Sequence, residues 1–277
     1  MTDRFVSTEW LAANLNKPNI AIVDATWYMP KVQRDAQAEY LAGHIPGAVF
    51  FDIDAIADRT TNLPHMLPKP EDFAKMVGPL GISDAMTIIV YDEQGLYSGP
   101  RVRWTFLTMG AADVRILAGG GPKWRSERRP LETGAVHRQP AHFKPRFNPA
   151  AVADFSRVDQ MRKRADAAIV DARPAARFNG EAAEPRPGLK SGHMPGSRNI
   201  PFDLVSTAGQ LRSPDELREL FAGHGIDLEN PVITTCGSGI TASTLALALE
   251  VAGARNVAVY DGAWAEWGAR PDAEVES

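Results

Sequence analysis

The chain contains one pattern twice. Ile20-Ala-Ile-Val-Asp24-Ala returns as Ala168-Ile-Val-Asp171-Ala, and Gly43-His-Ile-Pro-Gly47 returns as Gly192-His-Met-Pro-Gly196. Ile88-Ile-Val-Tyr-Asp92 corresponds to Val232-Ile-Thr-Thr-Cys236, and Gly119-Gly-Gly-Pro-Lys-Trp124 to Gly262-Ala-Trp-Ala-Glu-Trp267. The four matches keep their order at offsets of 143 to 149 residues. Such a period is far longer than a solenoid repeat and implies duplication of a whole domain. A chain of 277 residues, 44% hydrophobic and 23% charged, has the length and composition for two globular domains.

Within each copy, short β-branched runs alternate with stretches of helical period. The strands predicted in the first copy are Ile20–Ala25, Ala48–Phe51, Met86–Tyr91 and Val114–Leu117; helices are expected at 7–15 (capped by Ser7 or Thr8), 71–77 and 101–109. The second copy repeats the plan with strands at 168–171, 198–201, 232–235 and 257–260 and helices at 156–164 and 214–222. The apolar runs are nearly continuous, as in strands buried on both faces. The fold class is therefore α/β, with a parallel sheet covered by helices on both faces in each copy. This divides the chain into domains at 1–125 and 156–277. Residues 126–155, rich in proline and charge, form the linker, and the tail after Trp267 is expected to be loosely held.

The chemistry concentrates at one loop. Cys236, the only cysteine, follows a buried strand and precedes the Ala/Leu-rich helical run ended by Gly253. Gly237 and Gly239 let the loop curl so that backbone N–H groups point inward, and the helix adds the positive end of its dipole. A thiol held there is favoured as the nucleophilic thiolate. A buried structural cysteine is the other reading. One cysteine excludes an intrachain disulfide and a cysteine-based zinc cluster.

Net charge is −4 and the isoelectric point about 5.9, so nothing suggests nucleic acid. No run approaches the roughly 18 apolar residues of a membrane span. The first ten residues lack the apolar core of a signal peptide. A reducing, cytoplasmic setting is expected.

Other residues resist a chemical role. His44 and His193 each sit in the repeated turn, and a landmark shared by both copies is structural. Trp124, Trp264 and Trp267 are expected in the core or an interface, and Tyr97 in a cleft. Glycines 119–121 lack the acidic partner of a nucleotide fingerprint. A cysteine phosphatase would need a longer loop closing on arginine, yet position 242 is Ala242 and no arginine follows before Arg255.

The Val-Asp-Ala, Gly-His-Ile/Met-Pro-Gly and Gly-x-x-x-x-Trp landmarks, in duplicate, resemble the tandem rhodanese-type sulfurtransferases over essentially the whole chain. The resemblance implies one active site, in the second copy, whose loop is Cys236-Gly-Ser-Gly-Ile-Thr241. Asp92 stands in the cysteine's place in the first copy, which is then catalytically silent. Ala118, where the second copy has Asp261, is a further departure. Thiosulfate-using members carry cations in this loop, and here Gly237, Ser238, Gly239, Ile240 and Thr241 are neutral. The pattern is similar to 3-mercaptopyruvate sulfurtransferases.

That resemblance implies substrate arginines at Arg177 and Arg186, whose planar forks suit a carboxylate, and a proton-handling set of Ser238, His65 and Asp54. From spacing alone, His65 reads first as a loop histidine bonded to backbone. The implied substrate is 3-mercaptopyruvate and the acceptor a thiol, on a thioredoxin-type protein or a small molecule, or cyanide in an assay. No metal or organic cofactor is needed. A thiosulfate:cyanide sulfurtransferase and a non-catalytic partner-binding or persulfide-carrying module are the alternatives.

Overall fold

The computed structural model describes residues 4–277; residues 1–3, with which the first domain was taken to begin, lie outside the described residues. The chain divides into two compact units, Met1–Arg59 with Leu67–Asn148 and Ala208–Gln210, and Thr60–Met66 with Pro149–Thr207 and Leu211–Ser277.

The first unit is built on a five-stranded sheet of Phe5–Val6 (β1), Ile20–Asp24 (β2), Ala48–Phe50 (β3), Thr87–Tyr91 (β4) and Asp113–Leu117 (β5), in the order β1-β5-β4-β2-β3. Every neighbouring pair is parallel, with Asp24 opposite Tyr91 at the carboxyl end of the sheet. All five residues of β2 are buried, which explains their uninterrupted apolar run. One face carries Val6, Leu11, Ile22, Ile89 and Trp124. Elsewhere in this unit Phe51, Phe73, Phe106 and Phe143 meet largely edge to face. Such aromatic pairs add about 0.5–1.5 kcal/mol each beyond their buried area.

The second unit repeats this order. Val152–Ala153 (β6), Ala168–Asp171 (β7), Arg198–Asn199 (β8), Val232–Thr235 (β11) and Val257–Tyr260 (β12) form a parallel sheet ordered β6-β12-β11-β7-β8. A hairpin of Ser206–Thr207 (β9) and Gln210–Leu211 (β10) stands apart from it. The helix Ile240–Ala252 is buried along nearly its whole length, so its Ala/Leu composition shows no polar face.

Two edge strands, β1 and β6, escape a reading by period because each is two residues long. The polar stretch from Lys31 to Glu39 contains the start of a helix, Ala36–Ala42, whose first turn is capped by Asp35. The tail after Trp267 is not loose. Glu276 pairs with His193 in a β-bridge, the Trp267 indole donates to the Glu274 carbonyl, and Ala273 and Val275 pack on the core. The first unit has the same device: Glu132 bridges His44, and the Trp124 indole donates to the Pro130 carbonyl. Each strap also ties its turn glycine, Gly47 to Glu132 and Gly196 to Glu276.

Candidate active site

Strand β11 delivers Cys236 to the carboxyl end of the second sheet, where its side chain is 2% exposed. The loop turns back at once. Gly239 adopts φ +82°, a left-handed conformation that favours glycine, and its N–H donates to Cys236 Sγ at 3.1 Å. The carbonyls of Cys236 and Gly237 accept from the N–H groups of Trp264 and Ala265, which turns them away from the loop interior. The helix from Ile240 begins directly after Gly239 with no side chain capping its N-terminus, so the positive end of its dipole lies at this loop. Ser238, Ile240 and Thr241 are buried beside it. Gly237 has a different reason to be glycine: a Cβ there would lie 3.0 Å from Arg177 Nη2.

Arg177 therefore lies directly against the cysteine loop. It projects from the short helix Ala175–Phe178, and Glu184 holds it through Nε at 3.1 Å and through Nη2. Glu184 also binds Arg173 Nη1 at 2.7 Å, and Arg173 binds Asp171 at 2.7 Å and rests over the Trp264 ring. Burial works against a charged Arg173, but Asp171 and Glu184 more than offset it and raise its pKa above the ordinary arginine value. Arg186 is half-buried two residues beyond Glu184 on the same loop.

His65 has φ +61°, is 5% exposed, and belongs to the second unit through the segment Thr60–Met66. Its Nδ1 lies 3.3 Å from the Ser238 carbonyl oxygen. A proton on Nδ1 directed there leaves Nε2 as the basic nitrogen. Asp54 belongs to the first unit and accepts a hydrogen bond from the Trp27 indole at 2.9 Å. Tyr97 stacks on the same Trp27 ring. His44 and His193 each direct Nδ1 at a backbone carbonyl and stack on Tyr40 and Phe178. Among the described residues, no three His, Cys, Asp or Glu side chains are grouped to hold a metal, and no helix is long and apolar enough to cross a membrane.

Comparison with known proteins gives the same architecture. The rhodanese-like domain family matches residues 7–127 and again 154–270. The 3-mercaptopyruvate sulfurtransferase of Escherichia coli K12 is 47% identical over 99% of this chain and 98% of its own length. The human protein of that name is 42% identical over 96% of this chain and 93% of its own. The crystal structure of SseA from Escherichia coli, described as a 3-mercaptopyruvate sulfotransferase with the rhodanese fold, superposes with a TM-score of 0.88 at 45% identity, covering 95% of this chain and 99% of that one. The chain belongs to the 3-mercaptopyruvate sulfurtransferase family.

It is thus a sulfur-transferring enzyme with two rhodanese-like domains, and the two can be compared loop for loop. In the first domain, the Asp92 carboxylate accepts hydrogen bonds from the N–H groups of Gln94, Tyr97, Ser98 and Gly99 at 2.7–3.0 Å. This rhodanese loop is an anion cradle filled by the chain's own carboxylate. Burial pushes the Asp92 carboxyl up from its ordinary value, against the pull of those four bonds. The sequence pointed to Arg177 and Arg186 but not to Glu184, Arg173 or Asp171. The signal was there in principle: Asp-x-Arg at 171–173 in the second copy is Asp-x-Thr at 24–26 in the first, so the arginine is specific to the copy with the cysteine.

Proposed function

We propose that Cys236 takes sulfur from 3-mercaptopyruvate as a persulfide and passes it to a thiol. The observation that carries this reading is the Gly239 N–H directed at Cys236 Sγ inside a loop flanked by Arg177. The thiolate attacks the substrate's sulfur and the C–S bond breaks. The electron pair goes to C3, giving the enolate of pyruvate, and the proton carried on the transferred sulfur completes the methyl group. Loop amides stabilise the charge left on the persulfide, as oxyanion-type donors do. Arg177 and Arg186 bind the carboxylate and keto oxygen, which supplies proximity and orientation. Ser238 and His65, whose Nδ1 faces the Ser238 carbonyl, move the proton from sulfur to carbon.

A second thiol, on a thioredoxin-type protein or a small molecule, then attacks the outer sulfur and restores Cys236, a ping-pong cycle. Residues 156–277 hold the nucleophile in this scheme, residues 1–125 form the domain whose own loop, with Asp92 in the cysteine's place, is silent, and 126–155 link the two. The loop residues Gly237, Gly239, Ile240 and Thr241 form the sulfur's side of the pocket in this scheme. A lone, unpaired catalytic thiol fits a reducing compartment such as the cytoplasm.

The test is turnover with 3-mercaptopyruvate and with thiosulfate, side by side, using cyanide as acceptor, together with the mass of the protein after exposure to each donor. Preference for 3-mercaptopyruvate and a gain of one sulfur atom are expected. Preference for thiosulfate would mean that the neutral loop had been misread.

A further inference from the structure

The loop that runs from Arg177 to His193 is fastened at its far end to the strap Ala273–Glu276, and the reaction scheme gives that fastening no role. The His193 N–H donates to the Glu276 carbonyl at 2.7 Å, and the Glu276 N–H returns a bond to the His193 carbonyl at 2.9 Å. Lys190 Nζ donates to the carbonyls of Arg270 and Ala273 at 2.7 and 2.9 Å. Gly192, between these ties, has φ +110°, and a Cβ there would run into the Glu276 carbonyl. The strap thereby fixes the Gly192 carbonyl, which accepts from Arg173 Nη2 at 2.9 Å. Arg173 Nη1 bonds Glu184 at 2.7 Å, and the same Glu184 oxygen accepts from Arg177 Nε at 3.1 Å. Arg173 and Glu184 are 1% and 2% exposed, so a shift at one end of this relay is passed along it rather than absorbed.

The first domain makes the same bridge and leads it elsewhere. Glu132 and His44 exchange their two backbone bonds at 2.9 Å, and the carbonyl of Gly43, the counterpart of Gly192, accepts from Arg125 Nη2. Arg125 is held in turn by Glu93, with Nε 3.0 Å from Oε2. On the reading that Arg177 binds the sulfur donor, we infer that the strap Ala273–Glu276 is a positioning element of the donor site, acting through Gly192, Arg173 and Glu184. Docked, it holds Arg177 against the cysteine loop. Opened locally, it frees the loop and weakens donor binding. Bound donor must then hold the strap closed by the same factor, because coupling between two sites is reciprocal.

The two straps supply a matched pair of variants. Glu276→Pro removes the N–H of the bridge in the second domain, and Glu132→Pro makes the same cut in the first. Glu276→Pro should raise KM for 3-mercaptopyruvate about fivefold or more, the lower end of ordinary coupling between sites, with kcat within about twofold of wild type. The cysteine loop keeps its own bonds from Trp264 and Ala265, so the chemical step is spared. Glu132→Pro should leave KM within about twofold, whatever it does to the melting temperature. A KM unmoved in Glu276→Pro overturns the inference, and so does an equal rise in both variants, which would signal general loosening. In an Arg177→Ala background the relay has lost its end, and Glu276→Pro should raise KM by less than about twofold further. A full further rise there would also overturn it.

Hydrogen exchange gives a test that alters neither strap. In Cys236→Ser, which lacks the nucleophile and so holds the donor unturned, saturating 3-mercaptopyruvate should slow exchange of the Glu276 and His193 amides about fivefold or more. The Glu132 and His44 amides should keep their rates within about twofold. Unslowed Glu276 and His193 amides overturn the inference. Equal slowing at both straps overturns it too, since that is what a ligand of the folded state does everywhere at once. Failure of the broader reading is separable. An unchanged KM in Arg177→Ala sinks the donor-site reading itself, whereas a raised KM there beside an inert Glu276→Pro sinks only the role of the strap.

Discussion

The two rhodanese-like domains share their strand order, their histidine turns and their straps, and they part company at the carboxyl ends of their sheets. In the first domain the loop amides close on the Asp92 carboxylate, and the strand-end carboxylate Asp24 is bonded by the neutral Thr26 where the second domain has Arg173 beside Asp171. Glu39, just before the ring that stacks on the first histidine, occupies the place that Arg177 has before Phe178. The first domain thus uses its own carboxylates at the cradle and around it. The second keeps the cradle for sulfur and gathers arginines beside it. One backbone serves both ends, which shows that the anion cradle is a property of the loop and the choice of anion a property of a few side chains.

The sharpest way to break that comparison is at the two cradle positions. Cys236→Ser should lower sulfur transfer by at least about a thousandfold, because no other thiol exists to carry the sulfur. Circular dichroism and melting temperature should stay near wild type, and the sulfur mass gain should vanish. Residual transfer above that level would remove Cys236 as the nucleophile.

Next in size is the buried ion pair that only the second domain has. Arg173→Met leaves Asp171 charged and fully buried with its partner gone, which should destabilise the enzyme by about 3–5 kcal/mol in urea unfolding. A loss under 1 kcal/mol would show that the pair is solvated in solution. The matching cut in the first domain is milder. Asp92→Ala removes the acceptor of four N–H groups and should lose about 2–3 kcal/mol, given the penalty for buried unsatisfied donors. Turnover per folded molecule should hold within about twofold, on the proposal that the Asp92 cradle takes no part in sulfur transfer. A large fall in kcat would give that cradle a part in turnover.

How much of this was legible in the sequence follows from range. The duplicated landmarks, the strands β2, β4, β7 and β11, and the Cys236 loop are local patterns, and local patterns survive without coordinates. The edge strands β1 and β6 are set by pairing with β5 and β12, and two residues carry no period. The straps were missed for a related reason. Glu132 and Glu276 act through partners far back in the chain, and their surroundings, Pro-rich in one case and terminal in the other, read as loose. At the site, the sequence pointed to arginines by their motifs but could not show that Glu184 binds Arg177 and Arg173 together. That arrangement depends on a loop, 179–191, that is longer in the second copy and so breaks the offset by which the copies were aligned.

The smallest and most conditional effect lies at Asp24, the unpaired counterpart of Asp171. Burial pushes its carboxyl from 3.8 up to about 6, with bonds from Thr26 and Tyr91 opposing the rise. The folded state therefore holds this proton more tightly than the unfolded chain does. Its contribution to stability is complete below about pH 4 and is lost as the pH climbs through 6. Asp24→Asn cannot ionise and keeps an acceptor for Thr26. It should match wild type near pH 4 and exceed it by about 1–3 kcal/mol above pH 7, from a shift of roughly two units at 1.36 kcal/mol each. Urea unfolding across pH 4–8 reads the difference. The same change in the second domain, Asp171→Asn, strips Arg173 of one of its two carboxylate partners and should destabilise at every pH in that range. A variant of Asp24 that is no more stable at pH 8 than wild type would mean that water reaches the carboxylate. The contrast between the two strand ends would then rest on Arg173 alone.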